Sequence, residues 1–505
     1  MDNFYKNRVD FKVKSEGRIE GVVIAPFVQK EDILKTAAVG LIEKKSRDLL
    51  KTLIKKIPKL DFNLIDLGAD SILLIKTDKE TNWRIAQTLI RQAFRFLKEN
   101  NREKISFCLA DWKIQSFEPK SIAELIVSNS ILADFDFGRY YKTEPKDGWT
   151  KIKSVSLFVR PKDLASVRAG IKSGILIGQE TNRARFLSNL PGGDLKPSDL
   201  VAIAQSVSRE VGLKIKVLNE KNLEKIKAGG LLGVGRGSKD KPYLIIIEPR
   251  EKQKRAGEFH FIGKGITFDT GGLHIKVGEN MKEMQMDMSG AASVLAASAL
   301  IAQLKIPINF VTLIPTAENM ISGESYRPGD ILKSLSGQSI EVGSPDAEGR
   351  IVLADAITYG KKFYQPNLIV ELSTLTGASM IALGTKTAAL FTSNNKIESL
   401  LRRIGESSGD YVWPLPMGDE YAAEIKAPFA DVLNIGKTRY GGATAGAMFL
   451  WHFAQPTDFV HLDIAPRMTA DESDQLNQGS VGFGVRYLKE LAEAAEEFKD
   501  VVGKK

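Results

Sequence analysis

Five near-continuous apolar runs mark the later part of the chain: "YLIIIE" (243–248), "FHFIG" (259–263), "INFVTLI" (308–314), "NLIVELS" (367–373) and "DFVHLDIA" (458–465), with helical segments alternating between them. A strand that is apolar on both faces must be covered on both, so the pattern predicts a parallel or mixed sheet layered with helices. The first third repeats this grammar on a smaller scale, with strand "DSILLIK" (70–76), amphipathic helix "TNWRIAQTLIRQAFRFLKEN" (81–100) and strand "EKISFCLA" (103–110). A second helical pattern at 121–135 and a strand at 154–159 complete a small α/β unit there. Between the two regions, the run at 162–190 reads as one long helix that stops at "PGGD". A chain of 505 residues with 43% hydrophobic content exceeds the usual size of one core. The expected organisation is a smaller N-terminal α/β domain over 1–160, a connecting helix over 161–190 and a larger C-terminal α/β catalytic domain over 191–505, built on a central mixed sheet.

Composition removes several classes of function. The single cysteine, Cys108, excludes an intramolecular disulfide framework and a thiolate metal cluster, so a reducing, cytoplasmic setting is expected. No signal peptide is visible at the N-terminus, and no stretch reads as a membrane-spanning helix. The excess of 71 Lys+Arg over 62 Asp+Glu is mild for this length and reads as solvated surface. With only His260, His274, His452 and His461 present, a catalytic metal would rest mainly on oxygen ligands. The glycine-rich "GGLLGVGRGSKD" (229–240) lacks the G-K-[ST] ending of a phosphate loop and reads as a tight connection ahead of "YLIIIE". The charged run at 487–500 reads as a surface helix.

The chemistry gathers in two short segments. In "GKGITFDTGGLHIKVGENMKEMQMDMSG" (263–290), Lys264 follows a strand, Asp269 comes five residues later, and Asp287 sits just ahead of the small-residue helix "SGAASVLAASALIAQL". "SPDAEGR" (344–350) adds Asp346, Glu348 and Arg350. These positions are strand ends and helix starts, the edge at which open α/β sheets bind ligands. Carboxylates converging on one pocket repel one another unless positive charge sits between them. Two divalent ions roughly 3.5 to 4 Å apart, sharing a water, are a recurring hydrolytic answer. Asp346 and Glu348, two residues apart, would face one side of an extended chain, and Gly349 would let the chain turn. A helix starting there would offer its first amides to an anion, with Arg350 as positive partner.

"GKGITFDTGGLHIK", "MDMSGAA", "SPDAEGR" and "STLTGA", together with "RARFLSNLP", "NMISGESYRPGD" and "GFGVRYL", occur in the order and nearly the wording of the leucyl aminopeptidases, and the chain resembles that family over roughly 170–490. The family, also called the cytosol aminopeptidases, comprises two-domain dizinc peptidases that assemble as hexamers and remove N-terminal residues from peptides. The resemblance implies that Lys264, Asp269, Asp287 and Glu348 bind one metal and Asp269, Asp346 and Glu348 the other. Zinc or manganese is expected. Lys276 is similar to the family's catalytic lysine, which stabilises an oxyanion, and Arg350 to the arginine that holds a bicarbonate acting as general base toward the bridging water. A substrate pocket from Met284, Thr374, Gly377 and Ala465, with the backbone of Leu375, is likewise implied. His274 and His461 are assigned structural roles, because the family's site uses no histidine. Ser344-Pro345 departs from the family's Asn-Thr, leaving the acids and the arginine intact. The competing reading is a DNA-binding architectural or regulatory protein on the same fold, since some family members bind DNA. An inactive scaffold is argued against by the complete ligand set.

Overall fold

The computed structural model describes residues 5–6, 8–78, 81–114, 118–146, 148–251, 258–499 and 502. Its class is the expected α/β, in two units: Met1–Asn182 with Asp471–Gln478, and Arg183–Ala470 with Gly479–Lys505. The division differs from the expected boundaries at 160 and 190 because it falls inside the long helix Leu164–Asn189. It also gives the first unit a short late segment that no sequence pattern announces. Backbone carbonyls hold that segment in place: Arg91 Nη1 donates to Asp474 O (3.2 Å), Arg95 Nη1 to Leu476 O (3.2 Å) and Asn477 Nδ2 to Phe135 O (2.7 Å).

In the first unit the described residues form a six-stranded sheet in the order Asp10–Lys14, Ser154–Phe158, Lys104–Cys108, Val22–Phe27, Ser71–Lys76, Phe62–Asp66. All neighbours are parallel except the last pair. Val22–Phe27 is buried throughout, yet Pro26 disguises it, since proline cannot donate to a ladder. Its pairing with Lys104–Cys108 covers only Val22–Ile24, so Pro26 interrupts nothing on that side. The helix Trp83–Glu99 starts where Asn82 Oδ1 accepts from Ile85 N (2.9 Å), and it buries Ala86, Ile90, Ala93, Phe94 and Leu97 at three- and four-residue spacing.

The second unit is built on a nine-stranded mixed sheet in the order Val412–Pro414, Ala388–Thr392, Asp458–Asp463, Leu368–Ser373, Glu258–Gly263, Asn309–Asn319, Tyr243–Glu248, Lys214–Leu218, with Gly265–Asp269 beside the far half of Asn309–Asn319. The strands Asp458–Asp463, Leu368–Ser373, Glu258–Gly263 and Asn309–Asn319 run parallel, so their carboxyl ends share one edge. The strand expected at 308–314 continues through Pro315 to Asn319, because Gly265–Asp269 supplies a parallel partner there. A small third sheet sets Val432–Leu433 parallel to Ser339–Glu341.

Two expectations are corrected. Gly229–Gly235 is a helix rather than a tight connection, because its glycines let it lie against other chain segments. A Cβ on Gly229 would lie 2.2 Å from Lys333 O, and one on Gly230 2.9 Å from Ile351 O. The C-terminal helix Val485–Glu493 is half core, burying Val485, Tyr487, Leu488 and Leu491; residue 500 of the expected run lies outside the described residues. Gly278–Leu304 is long and apolar enough to cross a membrane by composition, but 83% of its most apolar window is buried inside the fold.

Candidate metal centre

Lys264 and Asp269 bracket the strand Gly265–Asp269, and Lys264 is fixed by its own backbone. Its N–H donates to Leu372 O (3.1 Å) and its carbonyl accepts from Ala291 N (2.8 Å). This close approach explains Gly290 at the start of the helix Ser289–Leu304: a Cβ there would lie 2.1 Å from Leu372 O. Asp287, in the turn Met284–Met288 just before that helix, is thereby brought to the sheet edge. Asp269 Oδ1 accepts from Gly271 N (2.9 Å) and Asn319 Nδ2 (2.8 Å).

Asp346 lies in a 3-10 turn, Pro345–Ala347, and Glu348 is the first residue of the helix Glu348–Tyr364. The extended geometry expected for this pair is therefore incorrect, yet the tight turn still delivers both carboxylates inward. Asp269, Asp346 and Glu348 offer ligand oxygens that all lie within 4.8 Å of one another. Gly349 is likewise not a turning point. It lies within the helix, where a Cβ would stand 2.5 Å from Lys264 Cε and 2.6 Å from Nζ, so its small size makes room for the lysine.

Two lysines lie among the four acids. Lys264 Nζ is 2.9 Å from Asp287 Oδ2 and 2.7 Å from Glu348 Oε1; Lys276 Nζ is 3.0 Å from Asp269 Oδ2 and 2.5 Å from Asp346 Oδ1. Burial disfavours both ammonium ions, but the surrounding acids outweigh it and hold both lysines above their ordinary range. Burial lifts Asp269 to about 6 and raises Asp287 well above the usual carboxylate range. Glu348 feels the same burial, but Lys264 and Lys276 press it below its ordinary value.

The donor set suits divalent cations. Four carboxylates against two ammonium groups leave the cluster net negative. Asp287 Oδ2 and Glu348 Oε1 are buried without a well-directed hydrogen bond among the described residues, although Lys264 stands within ion-pair distance of both. Buried anionic oxygens in that condition are costly unless a cation completes them.

Arg350 follows on the same helix with Nη1 donating to Asn434 O (2.8 Å), while its buried Nε has no partner among the described residues. Burial lowers the guanidinium to about 10 against the pull of Glu348 and Asp463, so it stays charged at neutral pH. Thr374 reaches the cluster, donating through Oγ1 to Asp287 Oδ1 (2.6 Å). Leu375 N and Ala465 N both donate to Asp463 Oδ1, at 3.1 and 3.2 Å. Met284 is half-buried in the turn that carries Asp287, and Gly377 is exposed at the start of the helix Gly377–Leu383. The histidines are engaged elsewhere: His461 Nδ1 lies 2.5 Å from Glu371 Oε2 and His274 Nδ1 2.9 Å from Ser344 Oγ.

Sequence reasoning missed the residues that hold this loop. Asn434 is fully buried, accepting through Oδ1 from Gly343 N (2.7 Å) and Ser344 N (3.2 Å) and donating through Nδ2 to Ser344 O (2.7 Å) and Ala347 O (3.2 Å). It is placed there because Val432–Leu433 pairs with Ser339–Glu341. Tyr326 Oη (2.7 Å) and Asn319 Nδ2 (3.0 Å) both donate to Pro345 O. Asn434→Ala should therefore lower metal content and kcat together and cost on the order of 2 to 4 kcal/mol of stability, as several buried backbone groups lose their partner. Elemental analysis with thermal unfolding checks this, and a variant with full metal content and unchanged melting would remove Asn434 from the scaffold of the site.

Residues 182–489 match the catalytic domain of the cytosol aminopeptidase family. The chain is 39% identical over 389 residues to a probable cytosol aminopeptidase of Chlorobaculum tepidum, covering 75% of this chain and 77% of that protein. It is 37% identical over 439 residues to the cytosol aminopeptidase of Pseudomonas aeruginosa, covering 85% and 87%. The solved structure of the bottromycin maturation enzyme BotP in complex with Mn superposes with a TM-score of 0.80 at 26% identity, covering 94% of this chain and 99% of that one. With its catalytic-domain match, its relatives and its fold in agreement, the chain belongs to the cytosol aminopeptidase family.

Proposed function

We propose that this metal-dependent aminopeptidase holds two divalent ions, zinc or manganese, with Lys264, Asp269, Asp287 and Glu348 as ligands of one and Asp269, Asp346 and Glu348 as ligands of the other. The observation that carries the reading is the convergence of Asp269, Asp346 and Glu348 within 4.8 Å. When bound, such ions supply Lewis acidity toward a carbonyl and make water a nucleophile near neutral pH. Lys264 can serve as a ligand only as the free amine, so it must release the proton that the acids now stabilise.

Peptides are the substrates, and leucine and other apolar N-terminal residues are the proposed preference. Met284, Thr374, Gly377 and Ala465 are the proposed walls around the terminal side chain. The N–H of Leu375 is already given to Asp463, so its carbonyl is the backbone group left to align the peptide. Lys276 is assigned the oxyanion: its ammonium is largely buried and stays charged, ready to donate as negative charge builds on the carbonyl oxygen. Arg350 is assigned a bicarbonate, which its charged guanidinium would hold. That anion would serve as the base that passes a proton to the departing amine. Assembly as a homohexamer and a cytoplasmic location rest on the family likeness. The DNA-binding alternative finds no support in the family match or in the relatives named above.

The test is hydrolysis of a panel of aminoacyl amides after chelation, with manganese or zinc added back. Activity should return only with metal and favour leucinamide; a fully metal-loaded protein that cleaves no amide would overturn the reading. Glu348→Gln should reduce metal content at both positions, since this residue is assigned to both ions. Unchanged metal stoichiometry by elemental analysis would contradict the bridging role.

A further inference from the structure

Asp463 is a fully buried acid that the proposed chemistry does not use. It ends the strand Asp458–Asp463, and its carboxylate faces the connection that leaves the neighbouring parallel strand Leu368–Ser373. Oδ1 accepts from Leu375 N (3.1 Å) and Ala465 N (3.2 Å), and Oδ2 accepts from Thr376 Oγ1 (2.6 Å). Among the described residues no ion pair completes it; three neutral donors hold it instead. A carboxylate is costly to bury without a cation beside it, so an acid kept here answers a geometric demand that an apolar residue could not meet.

What the two oxygens hold shows that demand. Leu375 N and Thr376 Oγ1 lie on either side of the peptide group that joins Leu375 to Thr376, so one side chain grips that group from both ends. Its carbonyl is the Leu375 carbonyl, the group proposed to align the peptide. The Thr376 hydroxyl is fixed in both senses, donating to Asp463 and accepting from Ser379 N (3.3 Å). The third bond ties in Ala465, a proposed wall of the pocket.

The gripped segment also touches the metal centre. Thr374 Oγ1 donates to Asp287 Oδ1 (2.6 Å), and Lys264 Nζ lies 3.4 Å from Thr374 O. The same segment meets Arg350 around Gly446, in the helix Gly442–Ala454. A Cβ there would lie 3.1 Å from Leu375 Cδ2 and 3.3 Å from both Arg350 Nη2 and Thr376 Cγ2. Small movements of residues 374–376 are therefore felt where the peptide bond must lie.

We propose that Asp463 is a positioning residue for the substrate: by holding Leu375 N and Thr376 Oγ1 it aims the Leu375 carbonyl to accept from the N–H of the scissile amide. The role rests on the proposed function, since it needs a peptide bound at the metal centre. It also sets amides apart from esters, because an ester has no N–H at that position and loses nothing when the carbonyl is misaimed.

Steady-state kinetics of the metal-loaded, full-length protein on leucinamide and leucine methyl ester test this. Asp463→Asn keeps the shape but cannot accept at both positions, and Thr376→Val keeps the shape but loses the hydroxyl. Each should lower kcat/KM for leucinamide about 10-fold, the loss of roughly one hydrogen bond, and for the ester less than about 3-fold. Thr376→Ser, which keeps the hydroxyl, should recover most of the amide rate, and metal content by elemental analysis should stay at the wild-type level in all three. Amide and ester rates falling by the same factor, or leucinamide hydrolysis unchanged in both Asp463→Asn and Thr376→Val, would overturn the proposal. A metal-loaded wild-type protein that cleaves neither substrate would instead overturn the peptidase reading and take this role with it, so the two failures give different results.

Discussion

Lys276→Ala is expected to lower kcat by about 10²-fold to 10³-fold while leaving metal content intact, by analogy with the loss of one oxyanion donor. The size follows from where the ammonium stands. It is 3.0 Å from Asp269 Oδ2 and 2.5 Å from Asp346 Oδ1, and its position is anchored by the Lys276 N–H donating to Thr270 O (2.9 Å). A cation held this close to two assigned metal ligands lies beside the oxygen on which charge develops, and burial strengthens that interaction relative to water. Removing it also deletes a positive charge from among the acids, so the affinity for divalent cations should hold or rise. That combination separates an oxyanion role from a structural one: a structural lysine would take the metals with it. Lys276→Arg should recover only part of the rate, because the planar guanidinium keeps the charge but not the compact geometry. Steady-state kinetics with elemental analysis on the same preparations decides the matter, and near-normal turnover in Lys276→Ala would remove Lys276 from the chemistry.

The parts of this molecule that were legible in the sequence are those whose function is local. Lys264, Asp269 and Asp287 fall within one continuous stretch, and Asp346, Glu348 and Arg350 within another, because each stretch is a strand end or helix start where neighbouring residues share one direction. The five apolar strands of the larger sheet were visible for a similar reason, since burial on both faces leaves an unbroken apolar run. What escaped notice acts across distance. Asn434 fixes backbone groups about ninety residues earlier in the chain, and Asp463 holds Leu375 N and Thr376 Oγ1 from the end of a different strand. A lone asparagine after a two-residue strand has no local pattern that could point to such partners. Glycine misled in both directions: Gly229–Gly235 reads as a loop breaker but forms a helix packed against backbone, and Gly349 reads as a turn but serves as clearance.

Gly349→Ala should cost about 10²-fold or more in kcat/KM even though alanine is the better helix former by roughly 0.5 to 1 kcal/mol. By propensity alone the substitution inside the helix Glu348–Tyr364 would be neutral or stabilising. Packing gives the opposite answer for function. The added methyl would fall 2.5 Å from Lys264 Cε, 2.6 Å from Nζ and 2.8 Å from Cδ, distances that no pair of these atoms tolerates, so something must move. The first turns of the helix are buried all round, Ile351, Val352 and Leu353 included, and cannot retreat cheaply, whereas the end of a lysine can swing. Lys264 would then leave Asp287 Oδ2 and Glu348 Oε1, the oxygens it now approaches to 2.9 and 2.7 Å. Losing a group that merely orients a ligand costs roughly 10-fold to 100-fold in metal affinity or activity, and displacing an assigned ligand should cost no less. Helix content by circular dichroism should stay at the wild-type level while metal content and leucinamide hydrolysis fall together. A Gly349→Ala protein with wild-type metal content and rate would show that the amine of Lys264 need not occupy this position, and the ligand role assigned to it would fail.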